Sequence, residues 1–185
     1  MPRPIMKYCP QCGNKTESKV PDGDHQLRDV CGSCDVIHYQ NPRIIAGCIP
    51  VWEDKVLLCK RAINPQKGFW TLPAGFMELG ETTEQAAIRE TLEEAETVVQ
   101  ADELYAVFNL PHINQVYMMY RSVLLKPEFS SGIESLDVRL FAEHEIPWQE
   151  LAFEAIRMSL EYYFQDRKAG VFKFRSADIH KRLPR

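Results

Sequence analysis

The chain has 185 residues, of which 45% are hydrophobic, and its formal net charge is −4 at pH 7. This length allows one domain plus a small module, with enough apolar residues for a core. The charge makes no general case for binding nucleic acid, and no apolar stretch approaches the roughly 20 residues that a membrane-spanning helix needs.

Four cysteines near the start form two CxxC pairs. Cys9 and Cys12 are followed, after 18 residues, by Cys31 and Cys34. This spacing is typical of a four-thiolate zinc site. We expect no export signal and hence the reducing cytoplasm, where such cysteines bind metal rather than form disulfides. A pair of disulfides and a redox pair are the alternatives.

We interpret residues 1–41 as a zinc ribbon, followed by a second domain over residues 42–185. The residues between the two cysteine pairs are polar, so the metal would supply the folding energy of this unit. Five basic residues balance five acidic ones in this segment. The balance favours a structural or dimerising role over nucleic-acid binding.

Two apolar segments open the second domain. Residues 43–52 predict a buried strand and residues 55–60 its hairpin partner. Cys48 and Cys59 lie within these apolar runs and are interpreted as core residues. Arg61 follows the second strand, where it either binds substrate phosphates or lies on the surface.

A strongly acidic segment, GFMELGETTEQAAIRETLEEAET (75–97), predicts a loop and then a helix that begins at the pair Thr82–Thr83. Glu90 and Glu94 are four residues apart, and Glu93 is three from Glu90, so their carboxylates share one side of the helix. Like charges at this spacing repel, and a hard divalent cation such as Mg²⁺ resolves the conflict. The alternative is an ordinary solvated acidic helix.

The loop before the helix fits the same purpose. Gly75 follows a Leu-Pro-Ala turn and allows the backbone to come close to a ligand, so its carbonyl is a candidate metal ligand. Arg89 lies beside the acidic group and needs an anion, for which Glu81 is the nearest candidate in the loop.

The pattern G-x5-E-x7-R-E-x2-E-E resembles the Nudix box, and it is met by Gly75, Glu81, Arg89, Glu90, Glu93 and Glu94. In Nudix hydrolases this loop–helix–loop binds the metals that activate water on a diphosphate linkage. Three positions depart from the usual box: Thr91 replaces an aliphatic residue, Glu96 a glycine and Thr97 a hydrophobe. The missing glycine predicts a differently ended helix.

Further strands are predicted over residues 104–110, 116–125, 138–142 and 171–174, and an amphipathic helix over 151–164. The basic tail that follows, which includes Arg175, Lys181, Arg182 and Arg185, is interpreted as a solvated end. Mixed strands with two main helices predict an α+β sandwich. The resemblance implies, more specifically, the Nudix α/β/α sandwich for residues 42–185.

The resemblance also implies roles for the box residues. Glu90, Glu93 and Glu94, with the carbonyl of Gly75, would hold Mg²⁺ or Mn²⁺. Arg89 would orient these carboxylates through Glu81.

A base or water-positioning group is also needed, and a mobile loop that closes over the substrate would supply it. Residues 129–137 contain Ser-Ser-Gly and are expected to be flexible. In related ADP-ribose pyrophosphatases a loop glutamate is the base, and it corresponds here to Glu134. Asp137 and a box glutamate such as Glu93 are the alternatives.

Two kinds of Nudix protein with a zinc ribbon compete for the substrate assignment. NADH pyrophosphatases carry SQPWPFP after the box, whereas this chain has LYAVFNLP (104–111), which argues against NADH. The whole layout resembles the plant-plastid FAD/ADP-ribose pyrophosphatase group and its bacterial relatives, on stretches such as HYQNPR (38–43) and IESLDVRLF (133–141). ADP-ribose is therefore the first expected substrate and FAD the second. Phe69, Phe108 or Tyr117 would either stack on the adenine or belong to the core.

Three other functions compete with this assignment. A non-catalytic regulator that senses ADP-ribose is disfavoured by the intact R-E-x2-E-E set. A dinucleotide pyrophosphatase would keep the chemistry, and an isomerase of the isopentenyl diphosphate kind would keep only the fold. A homodimer is expected from the resemblance, with a nucleoside-diphosphate-linked small molecule as ligand and no membrane partner.

Overall fold

The computed structural model describes residues 5–180, and its contacts divide the chain into two units, Met1–Pro42 and Arg43–Arg185. The first unit contains a three-stranded antiparallel sheet in the order β1–β2–β3, formed by Thr16–Lys19, Arg28–Cys31 and Ile37–His38. Among its described residues, only Cys9, Asp29, Val30 and Cys31 are buried. So small an apolar core is consistent with a unit that depends on a metal.

Each CxxC pair of the first unit is folded into a tight knuckle. The N–H of Gly13 donates to the carbonyl of Cys9 at 2.8 Å, and the N–H of Asp35 donates to the carbonyl of Cys31 at 3.0 Å. Gly13 and Asp35 both have positive φ angles, 73° and 56°. The two turns bring the cysteine side chains to the same end of the small sheet.

Within the described residues, the second unit contains eight strands and two α-helices. The strands are β4 (Arg43–Trp52), β5 (Lys55–Arg61), β6 (Trp70–Thr71), β7 (Ala74–Phe76), β8 (Val99–Leu110), β9 (Gln115–Leu124), β10 (Ser135–Phe141) and β11 (Arg175–Asp178). The helices are α1 (Thr83–Ala95) and α2 (Glu154–Ala169). No helix within residues 5–180 is long and apolar enough to cross a membrane.

These strands form one mixed sheet. Its main path is β10–β5–β4–β9–β8–β11, with β6 paired to β5 and β7 to β4. Strand β4 runs parallel to β9, and β11 runs parallel to β8. The hairpin predicted between β4 and β5 is present, with Val51 opposite Val56.

The sheet separates two hydrophobic clusters. Successive residues of β5 alternate between them: Val56 and Leu58 belong to the cluster that includes α2, and Leu57 and Cys59 to the cluster that includes α1. Small residues of α1, such as Ala87, let that helix lie close to the sheet. The α/β/α sandwich expected from the sequence is therefore confirmed, and Cys48 and Cys59 are core residues as predicted.

Helix α1 begins as predicted but does not end as predicted. Thr82 is the N-cap, and its hydroxyl accepts a hydrogen bond from the N–H of Gln85, whose side chain accepts one from the N–H of Thr82. At the other end, Glu96 adopts the left-handed conformation with φ 46°, and its N–H donates to Leu92. The helix thus ends as if a glycine stood at position 96.

Other boundaries also shifted. Helix α2 starts three residues later than predicted and continues to Ala169. The final strand covers Arg175–Asp178 rather than residues 171–174. Arg175 is not a solvated end, because its guanidinium pairs with the buried carboxylate of Asp166. The remaining tail residues Lys181, Arg182 and Arg185 lie outside the described residues.

Candidate functional site

The four cysteines of the first unit converge on one point. The sulfur atoms of Cys9, Cys12, Cys31 and Cys34 all lie within 4.8 Å of one another. The backbone N–H and the side chain of Asn14 donate to Cys12, and together they lower the pKa of its thiol to about 6. A four-thiol donor set with a readily ionised member fits Zn²⁺, which binds thiolates and needs no open position in a structural site.

In the second unit, Arg89 of α1 joins the acidic loop to the acidic helix. Its guanidinium donates twice to Glu81, at 3.0 and 2.8 Å, and once to the carbonyl of Phe76 at 3.2 Å. The two bonds from Arg89 to Glu81, with the bond from the backbone N–H of Glu78, lower the pKa of Glu81 to about 2. The paired carboxylate in turn raises the pKa of Arg89, so both groups stay ionised.

The same guanidinium also touches two of the candidate metal ligands. One nitrogen, Nη1, lies 2.8 Å from a carboxylate oxygen of Glu90 and 3.1 Å from one of Glu93. A positive charge therefore already lies between these carboxylates, which would otherwise repel each other. The side chain of Glu93 is 58% exposed, so it has room to turn towards a different cation.

Glu94 is the most buried of the three helix glutamates, with 6% of its surface exposed. Its Oε2 atom is buried and has no hydrogen-bond partner. Burial, together with the nearby charges of Glu90 and Glu134, raises the Glu94 pKa to about 8, although Arg61 and the N–H of Ala74 act in the opposite direction. Burial raises the pKa of Glu90 as well. A bound divalent cation would relieve this unsatisfied charge, so the donor set fits such an ion.

Gly75 lies in β7, directly against the carboxylate of Glu90. A Cβ atom at this position would stand 2.3 Å from the carboxyl carbon of Glu90. A larger residue at this position would force the Glu90 carboxylate to turn away from β7. The close approach places the backbone of the loop beside the candidate metal ligands.

A cleft of about 720 Å³ runs along these residues, and its acidic lining contains the three helix glutamates together with Glu134. Its complete lining is Gly75, Phe76, Met77, Glu78, Arg89, Glu90, Leu92, Glu93, Glu94, Glu96, Gly132, Ile133 and Glu134. The structure thus brings Glu134, from just before β10, to the same cleft as α1. Asp137 does not line the cleft, and its carboxylate pairs with Arg139 at 2.6 Å.

The glutamates do not gather as tightly as the cysteines. Within residues 5–180, the cysteine group is the only set of three or more His, Cys, Asp or Glu side chains whose ligand atoms all lie within 4.8 Å of one another. The site would therefore close around an ion by side-chain rotation, mainly of the exposed Glu93.

The other predicted substrate contacts are not among the residues that line the cleft, although Arg61 is close enough for its charge to lower the Glu94 pKa. Arg61 donates to the carbonyl of Pro65 at 2.9 Å and stacks over the ring of Phe153. Phe108 is completely buried and Tyr117 nearly so, and both belong to the core. Neither has a free face for stacking on adenine; Phe69 is partly exposed but does not line the cleft.

Several lining residues were not predicted. Phe76 and Met77 follow Gly75 directly. Leu92 and Glu96 lie at the end of α1 beside the candidate metal ligands, so their proximity to the box was a usable signal. Gly132 has no such signal, because it reaches α1 only through the tertiary structure.

The comparisons with known proteins agree with this arrangement. A model of the NUDIX domain matches residues 41–163, and a Nudix N-terminal zinc-ribbon model matches residues 7–40. The crystal structure of a NUDIX hydrolase from Nitrosomonas europaea is 56% identical, with a TM-score of 0.93, and the match covers 95% of this chain and 100% of that one.

The curated relatives carry functional names, of which two illustrate the range. The NAD-capped RNA hydrolase NudC of Vibrio vulnificus is 32% identical over 149 residues, 77% of this chain and 53% of that protein. The ADP-ribose pyrophosphatase of Methanocaldococcus jannaschii is 29% identical over 130 residues, 67% of this chain and 75% of that protein. The chain thus spans about half the length of the NudC relative. Its box, its sandwich and the matching family models together place this chain in the Nudix hydrolase family, with an N-terminal zinc-ribbon unit.

Proposed function

We propose that the second unit hydrolyses the diphosphate linkage of a nucleoside diphosphate joined to a second moiety, with Mg²⁺ or Mn²⁺. The observation that carries the proposal is the buried, unpartnered oxygen of Glu94 in a cleft shared with Glu90, Glu93 and Glu134. A fold gains nothing from an unsatisfied carboxylate in such company. A cation that binds this carboxylate and also an anionic diphosphate would explain why the oxygen has no partner within the protein.

Several charged side chains of the cleft have a proposed part in the reaction. Glu90, Glu93 and Glu94, with the carbonyl of Gly75, would hold the cations. When bound, these ions neutralise the charge of the diphosphate and acidify a coordinated water. Arg89 would fix the orientation of Glu90 through its attachment to Glu81.

Glu134 would orient the attacking water and accept its proton. Its place in the cleft lining favours it over Asp137, which is engaged with Arg139. The water oxygen attacks one phosphorus in line, the bridging P–O bond breaks, and two phosphomonoesters leave. Glu93 remains the alternative base, because its exposed carboxylate lines the same cleft.

ADP-ribose is the first proposed substrate, giving AMP and ribose 5-phosphate, and FAD the second, giving AMP and FMN. The similarity to an archaeal ADP-ribose pyrophosphatase supports the first. A second candidate is NADH or another NAD-type dinucleotide, favoured by the similarity to proteins named NAD-capped RNA hydrolases. The absence of SQPWPFP after the box counts against it. We expect a cytoplasmic homodimer in either case.

The test is a hydrolysis panel with Mg²⁺: ADP-ribose, FAD, NADH, NAD-capped RNA and dinucleoside polyphosphates. The wild type is compared with Glu94→Gln and with Glu103→Gln, an exposed glutamate outside the cleft. Turnover that disappears in Glu94→Gln and persists in Glu103→Gln supports the proposal and ranks the substrates. A wild type that binds ADP-ribose but hydrolyses no member of the panel would instead identify a non-catalytic sensor.

A further inference from the structure

The segment that precedes β10 is fastened to the end of helix α1. The N–H of Ser130 donates to the carbonyl of Ala95 at 3.0 Å, and the N–H of Gly132 donates to the carbonyl of Glu94 at 3.1 Å. The hydroxyl of Ser130 also donates to the carboxylate of Glu96. Carbonyls in the last turn of a helix lack partners within the helix, so this segment satisfies groups that would otherwise need water. The sequence predicted a flexible loop here, whereas the structure shows a segment that is hydrogen-bonded to α1.

Gly132 makes the closest approach of this segment to the helix. A Cβ atom at this position would lie 1.8 Å from the carbonyl oxygen of Glu93 and 3.2 Å from the Cα atom of Glu94. Both neighbours are helix backbone, which cannot rotate aside as a side chain can. Any other residue must therefore move this segment away from α1 by about 1 Å before the contact becomes tolerable.

The position of Gly132 is transmitted directly to Glu134. The carbonyl of Gly132 accepts a hydrogen bond from the N–H of Ser135 at 3.0 Å, which makes a tight turn around Glu134. The carbonyl of Glu134 accepts another from the N–H of Ala62, at the end of β5, at 2.8 Å. Glu134 thus stands between one attachment to the sheet and one to the helix that carries the proposed metal ligands.

We propose that Gly132 is a positioning residue that sets the distance between Glu134 and the glutamates of α1. The inference rests on the proposed role of Glu134. It adds that the contact between Gly132 and α1, rather than a moving lid, places Glu134 for that role. When a proton acceptor is displaced by 1 Å from the attacking water, the reaction can become about 100-fold slower. The close helix contact holds that distance in the absence of substrate.

The experiment measures kcat and KM for the best substrate of the panel. Gly132→Ala is made in the wild type and in Glu134→Gln, with Ser131→Ala as the control in the same segment. We expect Gly132→Ala to lower kcat by about 10- to 100-fold with KM changed less than about threefold. In the Glu134→Gln background the same change should lower kcat by less than about twofold, because the group it misplaces is already lost. Ser131→Ala should match the wild type.

Equal losses of kcat in both backgrounds would show that Gly132 acts independently of Glu134 and would overturn the inference while leaving the proposed hydrolysis intact. Circular dichroism and thermal unfolding check that each variant folds. If Gly132→Ala does not fold, Ser130→Ala replaces it, since it loosens the same attachment without a clash. An unchanged kcat in Ser130→Ala would then overturn the inference. A wild type that hydrolyses nothing overturns the proposed function as well.

Discussion

Replacing Glu94 with glutamine should stabilise the metal-free protein while it abolishes hydrolysis. Burial, reinforced by Glu90 and Glu134, raises the pKa of this carboxyl from 4.5 to about 8. At pH 7 the folded state therefore holds this carboxyl mostly protonated, and the uptake of that proton costs folding about 3 kcal/mol relative to a carboxyl with an unshifted pKa. Glutamine is neutral in both the folded and the unfolded state and so avoids this cost, but it leaves an imperfectly bonded amide, which costs about 1 kcal/mol. The expected net gain is about 2 kcal/mol, or roughly 4–8 °C in Tm for a chain of this size.

The assay is urea and thermal unfolding without added Mg²⁺ or Mn²⁺, and without a chelator, so that zinc stays in the ribbon. Glu93→Gln is the matched control, because its side chain is 58% exposed and carries little burial penalty. Both variants should lose hydrolysis, but only Glu94→Gln should gain stability. The reasoning is refuted if Glu94→Gln is no more stable than the wild type, or if Glu93→Gln gains as much.

The pH dependence of stability follows from the same raised pKa of Glu94. Because the folded pKa of Glu94 lies above the unfolded value of 4.5, the folded state holds an extra proton between these two values. Its contribution to stability is fully present below pH 4.5, falls as the pH rises, and levels off above about pH 8. The stability difference between Glu94→Gln and the wild type should therefore grow from pH 5 to pH 8.

Three further results are expected. Glu96→Gly should be more stable than Glu96→Ala by about 1 kcal/mol in urea unfolding, because only glycine adopts the left-handed helix end without strain; equal stabilities would contradict this. Asp166→Asn should lose about 2–4 kcal/mol, since it leaves Arg175 paired with a neutral group in a buried site, whereas Asp178→Asn at the exposed strand end should lose less than about 1 kcal/mol. Cys12→Ser should lower the zinc content below one equivalent, and hydrogen exchange should then show lost protection in β1–β3; retained protection would argue against a structural metal.

The parts of the molecule that the sequence predicted well depend on neighbours within a few residues. The start of α1 follows from the pairing of Thr82 with Gln85, three positions apart. Glu90 and Glu94 lie on the same side of α1 because they are four residues, about one helical turn, apart. Each cysteine knuckle follows from a CxxC turn. These relations are fixed by local geometry, so no tertiary information is needed to see them.

The parts that the sequence did not predict depend on distant partners. Ser-Ser-Gly (130–132) has the composition of a flexible linker, yet its hydrogen-bond acceptors lie on α1, some 35 residues earlier. The strands β6 and β7 have only two and three residues, too few for an alternating pattern. Glu96 forms a helix end usually given to glycine, where it accepts a hydrogen bond from Ser130, another distant residue.

The strand order of the larger sheet determines when that sheet can form as the chain is synthesised. Strand β4 needs β9, which begins about 60 residues after β4 ends, and β8 gains its outer neighbour β11 only after α2 has been made. Pairings across such separations are slow. The ribbon strands pair only with their neighbours in sequence, so that unit can close around its metal early. Meanwhile the apolar β4 has one unpaired edge, which makes this strand a point of association between nascent chains until β9 arrives.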